Sequence, residues 1–95
     1  MKLKIFASAS FERFVKKLHK KDKETVDEAV SAIAADPGLG EEKKGDLSGV
    51  FVYKFKINKQ EVLLAYRLQP SKFKPEELML LSLGSHENFY SSLKK

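Results

Sequence analysis

Two lysines in an alternating stretch of the chain are the residues best placed to hold an anion. Lys54 and Lys56 lie two positions apart in the run VFVYKFKI, residues 50–57. Because side chains of a β-strand alternate between its faces, both lysines should share one face, roughly 6.6 Å apart along the strand. That face, called the lysine face, carries Val50, Val52, Lys54 and Lys56. The opposite, aromatic face carries Phe51, Tyr53, Phe55 and Ile57. We expect the aromatic face to meet the core and the lysine face to meet water or an anion.

The lysine-bearing run is predicted to be the first strand of a β-hairpin. Runs rich in β-branched and aromatic residues flank a polar break at residues 58–61, which is typical of two strands joined by a turn. The second run, residues 61–68, is nearly all apolar. A continuous apolar run is expected of a central strand that is covered on both sides.

Two helices precede the hairpin in the predicted order. Residues 2–6 alternate lysine with apolar residues, which indicates a short strand, and Ser8 or Ser10 can then cap a helix. Apolar residues at helical spacing define two helices, the second from about residue 22 to residue 35. The first set is Phe11, Phe14, Val15 and Leu18; the second is Val26, Val30, Ile33 and Ala34. The segment Asp36-Pro37-Gly38 should end the second helix.

The remaining segments complete an α+β fold. Residues 39–48 are polar and glycine-rich, which predicts a loop, and residues 77–83 form an apolar run of strand length. Residues 87–95 are expected to be a short tail or helix. The prediction is an N-terminal strand and a helical hairpin packed on one face of a mainly antiparallel sheet of about four strands.

Composition limits the classes of function that fit. The 95 residues suit a single domain spanning 1–95, and the absence of cysteine excludes disulfides and thiolate metal sites. No nucleotide-binding loop or metal-ligand cluster is present, so we predict no cofactor and no metal. No segment has the length of a signal peptide or membrane span, which predicts a cytoplasmic protein without membrane contact.

The net charge of +5 is unevenly distributed along the chain. Residues 1–23 hold eight basic and two acidic residues, residues 24–46 hold two and seven, and residues 47–95 hold eight and four. This uneven charge distribution would let one side of the protein approach a polyanion, although lysine-rich surfaces also simply aid solubility. Lys16 and Lys17 on the first helix present the same choice between a solvated helix face and an extension of a phosphate-binding surface.

Four segments together resemble the RelE/ParE toxin superfamily, and the resemblance covers almost the whole chain. They are KGDLSG (44–49), YKFK (53–56), LAY (64–66) and LGSHENFY (83–90). The resemblance implies a toxin of a type II toxin–antitoxin pair that is neutralised by a cognate antitoxin. The RelE-like branch cuts mRNA on the ribosome, whereas the ParE-like branch inhibits DNA gyrase without such chemistry.

The resemblance also implies a set of site residues. Lys54 and Lys56 match the lysine pair of RelE-like nucleases, His86 falls where that branch carries a basic catalytic residue, and Tyr90 matches an aromatic residue near the C-terminus. One position departs from the pattern, because Leu63 stands where RelE carries an arginine. Arg67 has the same strand parity as Leu63 and is the candidate to supply that charge.

Metal-independent RNA cleavage would give these residues distinct roles. The ribose 2′-OH attacks the phosphate, which requires a base, an acid for the departing 5′-oxygen, and positive charge for the transition state. His86 is the candidate for proton transfer, because an imidazole titrates near neutral pH. The lysines suit phosphate binding, and Tyr90 suits stacking or hydrogen bonding. A loop histidine bonded to backbone and a core-anchoring Tyr90 remain the structural alternatives.

Three functions therefore stay open from the sequence. The favoured prediction is a ribosome-dependent mRNA endonuclease, for which the cluster of Lys54, Lys56 and His86 is the reason. The alternative is a gyrase inhibitor, which Leu63 favours, and a third is an RNA-binding protein that cuts nothing.

Overall fold

A computed structural model describes residues 3–45 and 48–85 of the chain. Within them, five strands form one sheet in the order β1-β5-β4-β3-β2, and two helices pack on it. β1 is parallel to β5, and the other neighbouring strands are antiparallel. The elements are β1 (Lys4–Ala7), α1 (Ala9–Lys16), α2 (Lys20–Ala35), β2 (Glu41–Glu42), β3 (Val50–Ile57), β4 (Gln60–Gln69) and β5 (Glu77–Gly84). The predicted α+β class is confirmed. The predicted C-terminal tail, residues 87–95, lies outside the described residues.

The hairpin of β3 and β4 closes with a two-residue turn. Asn58 and Lys59 both have positive φ, 51° and 69°, as the type I′ turn of a two-residue hairpin requires. Asn58 suits this conformation because asparagine tolerates the left-handed region better than most residues do. Its amide nitrogen also donates to a carboxylate oxygen of Asp22 at 3.1 Å, which ties the turn to the first turn of α2. The turn is shorter than the polar break, so Gln60 and Glu61 belong to β4.

The helices begin where the sequence indicates. Ser8 is the N-cap of α1, and its hydroxyl accepts from the backbone N–H of Phe11 at 3.1 Å. The same hydroxyl donates to the carbonyl of Leu81 at 2.6 Å, so the cap also fixes the helix against β5. α2 begins at Lys20 and ends at Ala35, as the Asp36-Pro37-Gly38 segment predicts. No helix among residues 3–45 and 48–85 is long and apolar enough to cross a membrane.

The aromatic face of β3 meets the helices, as alternation predicts. One apolar cluster joins that face to both helices, with Phe51 and Ile57 buried and Tyr53 and Phe55 half-buried. The ring of Phe51 stacks on Tyr66 of β4, with 5.3 Å between the ring centroids. Other members include Phe11, Val26, Ile33, Leu64 and Leu78, with Phe14, Leu18 and Val30 packed against them. β4 is the middle strand, and its residues 62–66 are all buried, which confirms a central strand covered on both faces.

A fully buried tyrosine joins the end of α2 to the sheet. The hydroxyl of Tyr66 donates to the carbonyl of Pro37 at 2.7 Å and accepts from the backbone N–H of Gly40 at 2.9 Å. Burial raises the pKa of this phenol. Gly40 lies so close that a Cβ there would stand 2.8 Å from the Tyr66 hydroxyl and 3.0 Å from the carbonyl of Val52. Any side chain at position 40 would therefore displace the tyrosine or the strand.

The segment that Tyr66 anchors contains a strand that was not predicted. Glu41 and Glu42 pair with Val52 and Phe51 of β3, inside the stretch predicted to be a loop. Two adjacent glutamates carry no apolar alternation and low β-propensity, so the sequence gives no local sign of a strand. Because Tyr66 holds residues 37–40 through two hydrogen bonds, residues 41–42 lie at the edge of β3.

Candidate functional site

The strand register assembles the lysine face from β3 and β4 together. Lys54 lies opposite Leu63, and Lys56 lies opposite Glu61. Both lysines are exposed, on the face of the sheet away from the helices. The prediction that these two side chains share an accessible face is therefore confirmed. Their cationic ends are available to an anion that approaches this side of the sheet.

The remainder of the lysine face is apolar, which corrects the expectation that all of it meets water or an anion. Val50 and Val52 are each only 3% exposed, and they form a second buried cluster with Leu63 and Ala65, against which Leu81 packs. Alternation identifies residues on one face but cannot show that two neighbouring strands both place apolar side chains there. The result is a face with a buried apolar half beside an exposed cationic half.

Leu63 belongs to the buried apolar part of the lysine face, whereas Arg67 is exposed. Leu63 is fully buried directly across from Lys54, so the position at which the resemblance implies an arginine is filled here by a packed leucine. Arg67 is exposed on the same face, but its register partner is Val50. Leu63 and Arg67 are four positions apart along β4, a distance of about 13 Å. Arg67 therefore adds charge at the far end of the face and does not replace an arginine beside Lys54.

A carboxylate borders the lysine pair, and sequence reasoning missed it. Glu41 pairs with Val52, so it extends the lysine face across β2. The hydrogen bond and charge of Lys43, 2.6 Å away, hold the pKa of Glu41 below its usual range, and the charge of Lys54 adds to this effect. A cavity of ≈ 300 Å³ lies here, lined by Leu39, Glu41, Lys43, Val52, Tyr53 and Lys54. No signal in the sequence could have found Glu41, because its place depends on the unpredicted strand β2.

Lys16 and Lys17 are not brought to the lysine pair. Lys16, at the end of α1, and Lys17, its C-cap, are exposed in the helical layer, which packs on the opposite face of the sheet. His86 and Tyr90 lie outside the described residues, and so their predicted roles stay predictions. Within residues 3–45 and 48–85, no three His, Asp or Glu side chains are grouped so that they could hold a metal ion.

The chain matches a known family over nearly its full length. Residues 5–94 match the family described as ParE-like toxin of the type II bacterial toxin-antitoxin system. The chain belongs to this family. It is thus a toxin of the type II class, and the resemblance to the RelE/ParE superfamily is confirmed. No curated protein sequence matches the toxin significantly.

Solved structures of similar toxins share its fold. A mutant of the E. coli toxin RelE in the free state superposes with a TM-score of 0.71 at 14% identity, covering 99% of this toxin and 94% of that chain. The RelBE2 toxin-antitoxin complex from Mycobacterium tuberculosis gives 0.71 at 16% identity, covering 90% and 100%. An E. coli RelE mutant in complex with an antitoxin RelBc peptide gives 0.67 at 17% identity, covering 100% and 97%. At these identities the likeness establishes the fold alone.

Proposed function

We propose that this toxin inhibits translation by cutting mRNA on the ribosome, as a metal-independent endoribonuclease without a cofactor. The observation that carries the proposal is the pair Lys54 and Lys56, both exposed and on the same face of one strand. Two neighbouring ammonium groups suit a phosphodiester, whose charge increases in the transition state of 2′-OH attack. The RelE-like fold supports the same reaction class. Action on mRNA and ribosomes would take place in the cytoplasm.

The residues divide the work of such a reaction. Lys54 and Lys56 hold the scissile phosphate and stabilise its developing charge. His86 moves the proton, since imidazole is present in both protonation states near neutral pH. Tyr90 stacks on a base or donates a hydrogen bond beside it. Arg67 binds the substrate further along the strand, and Lys16 and Lys17 add only nonspecific attraction from the helical side.

Single-turnover cleavage of mRNA on programmed ribosomes tests these roles. His86→Ala should slow the cleavage step by about a hundred- to ten-thousand-fold while ribosome binding changes little. Lys54→Ala and Lys56→Ala should weaken binding, cleavage or both, and the loss of binding should shrink as salt rises, because the release of counterions drives that contact. Lys16→Ala should change salt-sensitive binding alone. Cleavage that persists unchanged in His86→Ala would remove His86 from the chemistry.

Inhibition of DNA gyrase is the second candidate, and two observations favour it. The family that matches is the ParE-like one, and the arginine position of RelE is occupied by the fully buried Leu63. A packed leucine cannot bind phosphate, which reduces the charge available beside Lys54. Supercoiling by purified gyrase, measured with the same toxin preparation, separates the two functions. Gyrase inhibition without any mRNA cleavage would reject the nuclease.

We further propose that a cognate antitoxin neutralises the toxin by covering the lysine face and contacting the C-terminal residues. RelBE complexes are toxin-antitoxin complexes of similar folds, and the toxin here carries a net charge of +5 with Lys54 and Lys56 exposed. Acidic side chains would pair with that cationic surface, and apolar ones would suit its border. Charge reversal, Lys54→Glu with Lys56→Glu, should weaken antitoxin binding. Undiminished binding would place the antitoxin elsewhere.

A further inference from the structure

We propose that the loop between β4 and β5, residues 70–76, is a second RNA contact, in which Phe73 stacks on an unpaired base. The ring of Phe73 is 84% exposed, the most of any large apolar side chain among the described residues. Lys72 and Lys74 stand on either side of it in the sequence PSKFKPE. Aromatic rings among lysines suit single-stranded nucleic acid, because a ring can stack on any base while the ammonium groups meet phosphates. The inference rests on the proposed nuclease function, because that function makes RNA the ligand.

The loop holds this ring outward in a defined turn. The Ser71 hydroxyl accepts from the backbone N–H groups of Phe73 and Lys74, at 3.3 Å each. The backbone N–H of Glu76 donates to the carbonyl of Gln69 at 2.7 Å and closes the loop at its base. A stacking side chain in a fixed turn loses less conformational entropy on binding than one in a free segment.

The two lysines of the loop are not equivalent. The amine of Lys72 is bound to a carboxylate oxygen of Glu42 at 2.7 Å and lies 5.4 Å from the centroid of the Phe73 ring. It therefore braces the ring, and Glu42 offsets its charge. Lys74 is exposed, and it forms no ion pair with any residue in the described part of the chain. Lys74 is consequently the phosphate contact, and Lys72 is a positioning residue.

The loop adds a cationic patch beside Arg67, at the far end of β4 from Lys54 and Lys56. Arg67 and Lys72 line one cavity of ≈ 210 Å³ at the end of β4, where the loop begins. Arg67 belongs to the lysine face through its register with Val50. The buried cluster of Val50, Val52, Leu63 and Ala65 lies between Lys54 and Arg67, so the loop is a contact separate from the lysine pair. The exposed apolar area at this loop is a single ring flanked by lysines, which favours RNA over a protein partner as the ligand.

Binding of a short single-stranded RNA with 2′-O-methyl riboses tests the contact without cleavage, because the blocked 2′-oxygen cannot attack. Phe73→Ala should weaken affinity about five- to a hundredfold and leave the salt dependence unchanged. Phe73→Trp should retain affinity and show quenched indole fluorescence on binding. Lys74→Ala should instead lower the slope of log affinity against log salt by about 0.7, as expected for one lost phosphate contact. Phe6→Ala, which removes another exposed phenylalanine from edge strand β1, is the control and should bind as the wild type does.

The outcomes separate this inference from the proposed nuclease. Cleavage of mRNA on ribosomes by the wild type, with RNA affinity unchanged in Phe73→Ala, would overturn the stacking contact and leave the nuclease intact. RNA binding that depends on Phe73, without any cleavage, would support the contact and reject the nuclease. Equal losses in Phe73→Ala and Phe6→Ala would show a nonspecific apolar effect and overturn the inference. If Phe73→Ala lost binding to anionic lipid vesicles but retained its RNA affinity, the proposed RNA contact would also be overturned.

Discussion

Removing the Tyr66 hydroxyl should destabilise the toxin more than its loss of one oxygen atom suggests. Tyr66 is fully buried, and its hydroxyl makes two hydrogen bonds, to the carbonyl of Pro37 and from the backbone N–H of Gly40. Each such bond contributes about 1 kcal/mol net, so Tyr66→Phe should lower the free energy of unfolding by about 2 kcal/mol. In a domain of this size that loss corresponds to a fall in Tm of about 8–16 °C.

Urea unfolding followed by circular dichroism measures this loss, and the chain offers a matched control. Tyr53→Phe removes the same atom from a half-buried ring whose hydroxyl makes no hydrogen bond to any described residue. Its cost should stay within about 0.5 kcal/mol of zero. Equal midpoints for Tyr53→Phe and Tyr66→Phe would refute the claim that the hydroxyl anchors residues 37–40. The dependence on urea should be the same in both variants, since neither change alters the surface exposed on unfolding.

The same tyrosine should make the free energy of unfolding decrease at alkaline pH. Burial raises the pKa of Tyr66 above 10.0 in the folded state. A group whose folded pKa is raised binds its proton more tightly when folded, so its contribution is complete below pH 10.0 and declines as pH rises through the folded pKa. Tyr66→Phe should remove this part of the decline, whereas Tyr53→Phe should leave it in place. An unchanged alkaline limb in Tyr66→Phe would assign the decline to other groups.

Two further predictions address the core and the site. Phe51→Ala should lower the free energy of unfolding by about 3–5 kcal/mol, because Phe51 is 7% exposed and its ring stacks on Tyr66. Phe55→Ala should lower it less, because Phe55 is only half-buried. Equal losses in urea unfolding would contradict this ranking. Glu41→Gln should strengthen RNA binding by up to about fivefold, because the change removes a carboxylate that pairs with Lys43 and repels an anion approaching Lys54. If cleavage falls while binding is unchanged, the Glu41 carboxylate takes part in proton transfer instead.

The strands and helices with strong local patterns could be predicted from the sequence, and the edge strand could not. The alternation of residue types predicts β3. Ser8 marks the start of α1 because its side chain caps the helix, and Pro37 marks the end of α2 because its φ is fixed. β2 depends on contacts made far away in the chain, through the Tyr66 hydroxyl and the backbone of Val52. Phe55 shows the same limit, since alternation identifies the face that carries its ring but not that the ring is only half-buried.

The sequence predicts which site residues share one face of the sheet, but it does not predict which residues lie beside them. The period of two correctly places Lys54, Lys56 and Arg67 on one face, because it is a property of the strand itself. Which residues stand beside them depends on register, and register puts buried Leu63 next to Lys54 and separates Arg67 by about 13 Å. Glu41 enters through a strand that only the tertiary structure reveals.

The parallel pairing of β1 with β5 sets a limit on when the toxin can fold during its synthesis. Residues 4–7 pair with residues 77–80, so the first strand made must wait for the last described one. The backbone N–H of Ser8 likewise donates to Leu80 at 2.9 Å, and the cap of α1 donates to Leu81. Contacts this distant in sequence form late, because the intervening chain must be ordered first. A nascent chain that is still missing β5 therefore cannot complete the sheet, which delays the folded toxin until residues 77–84 have been translated.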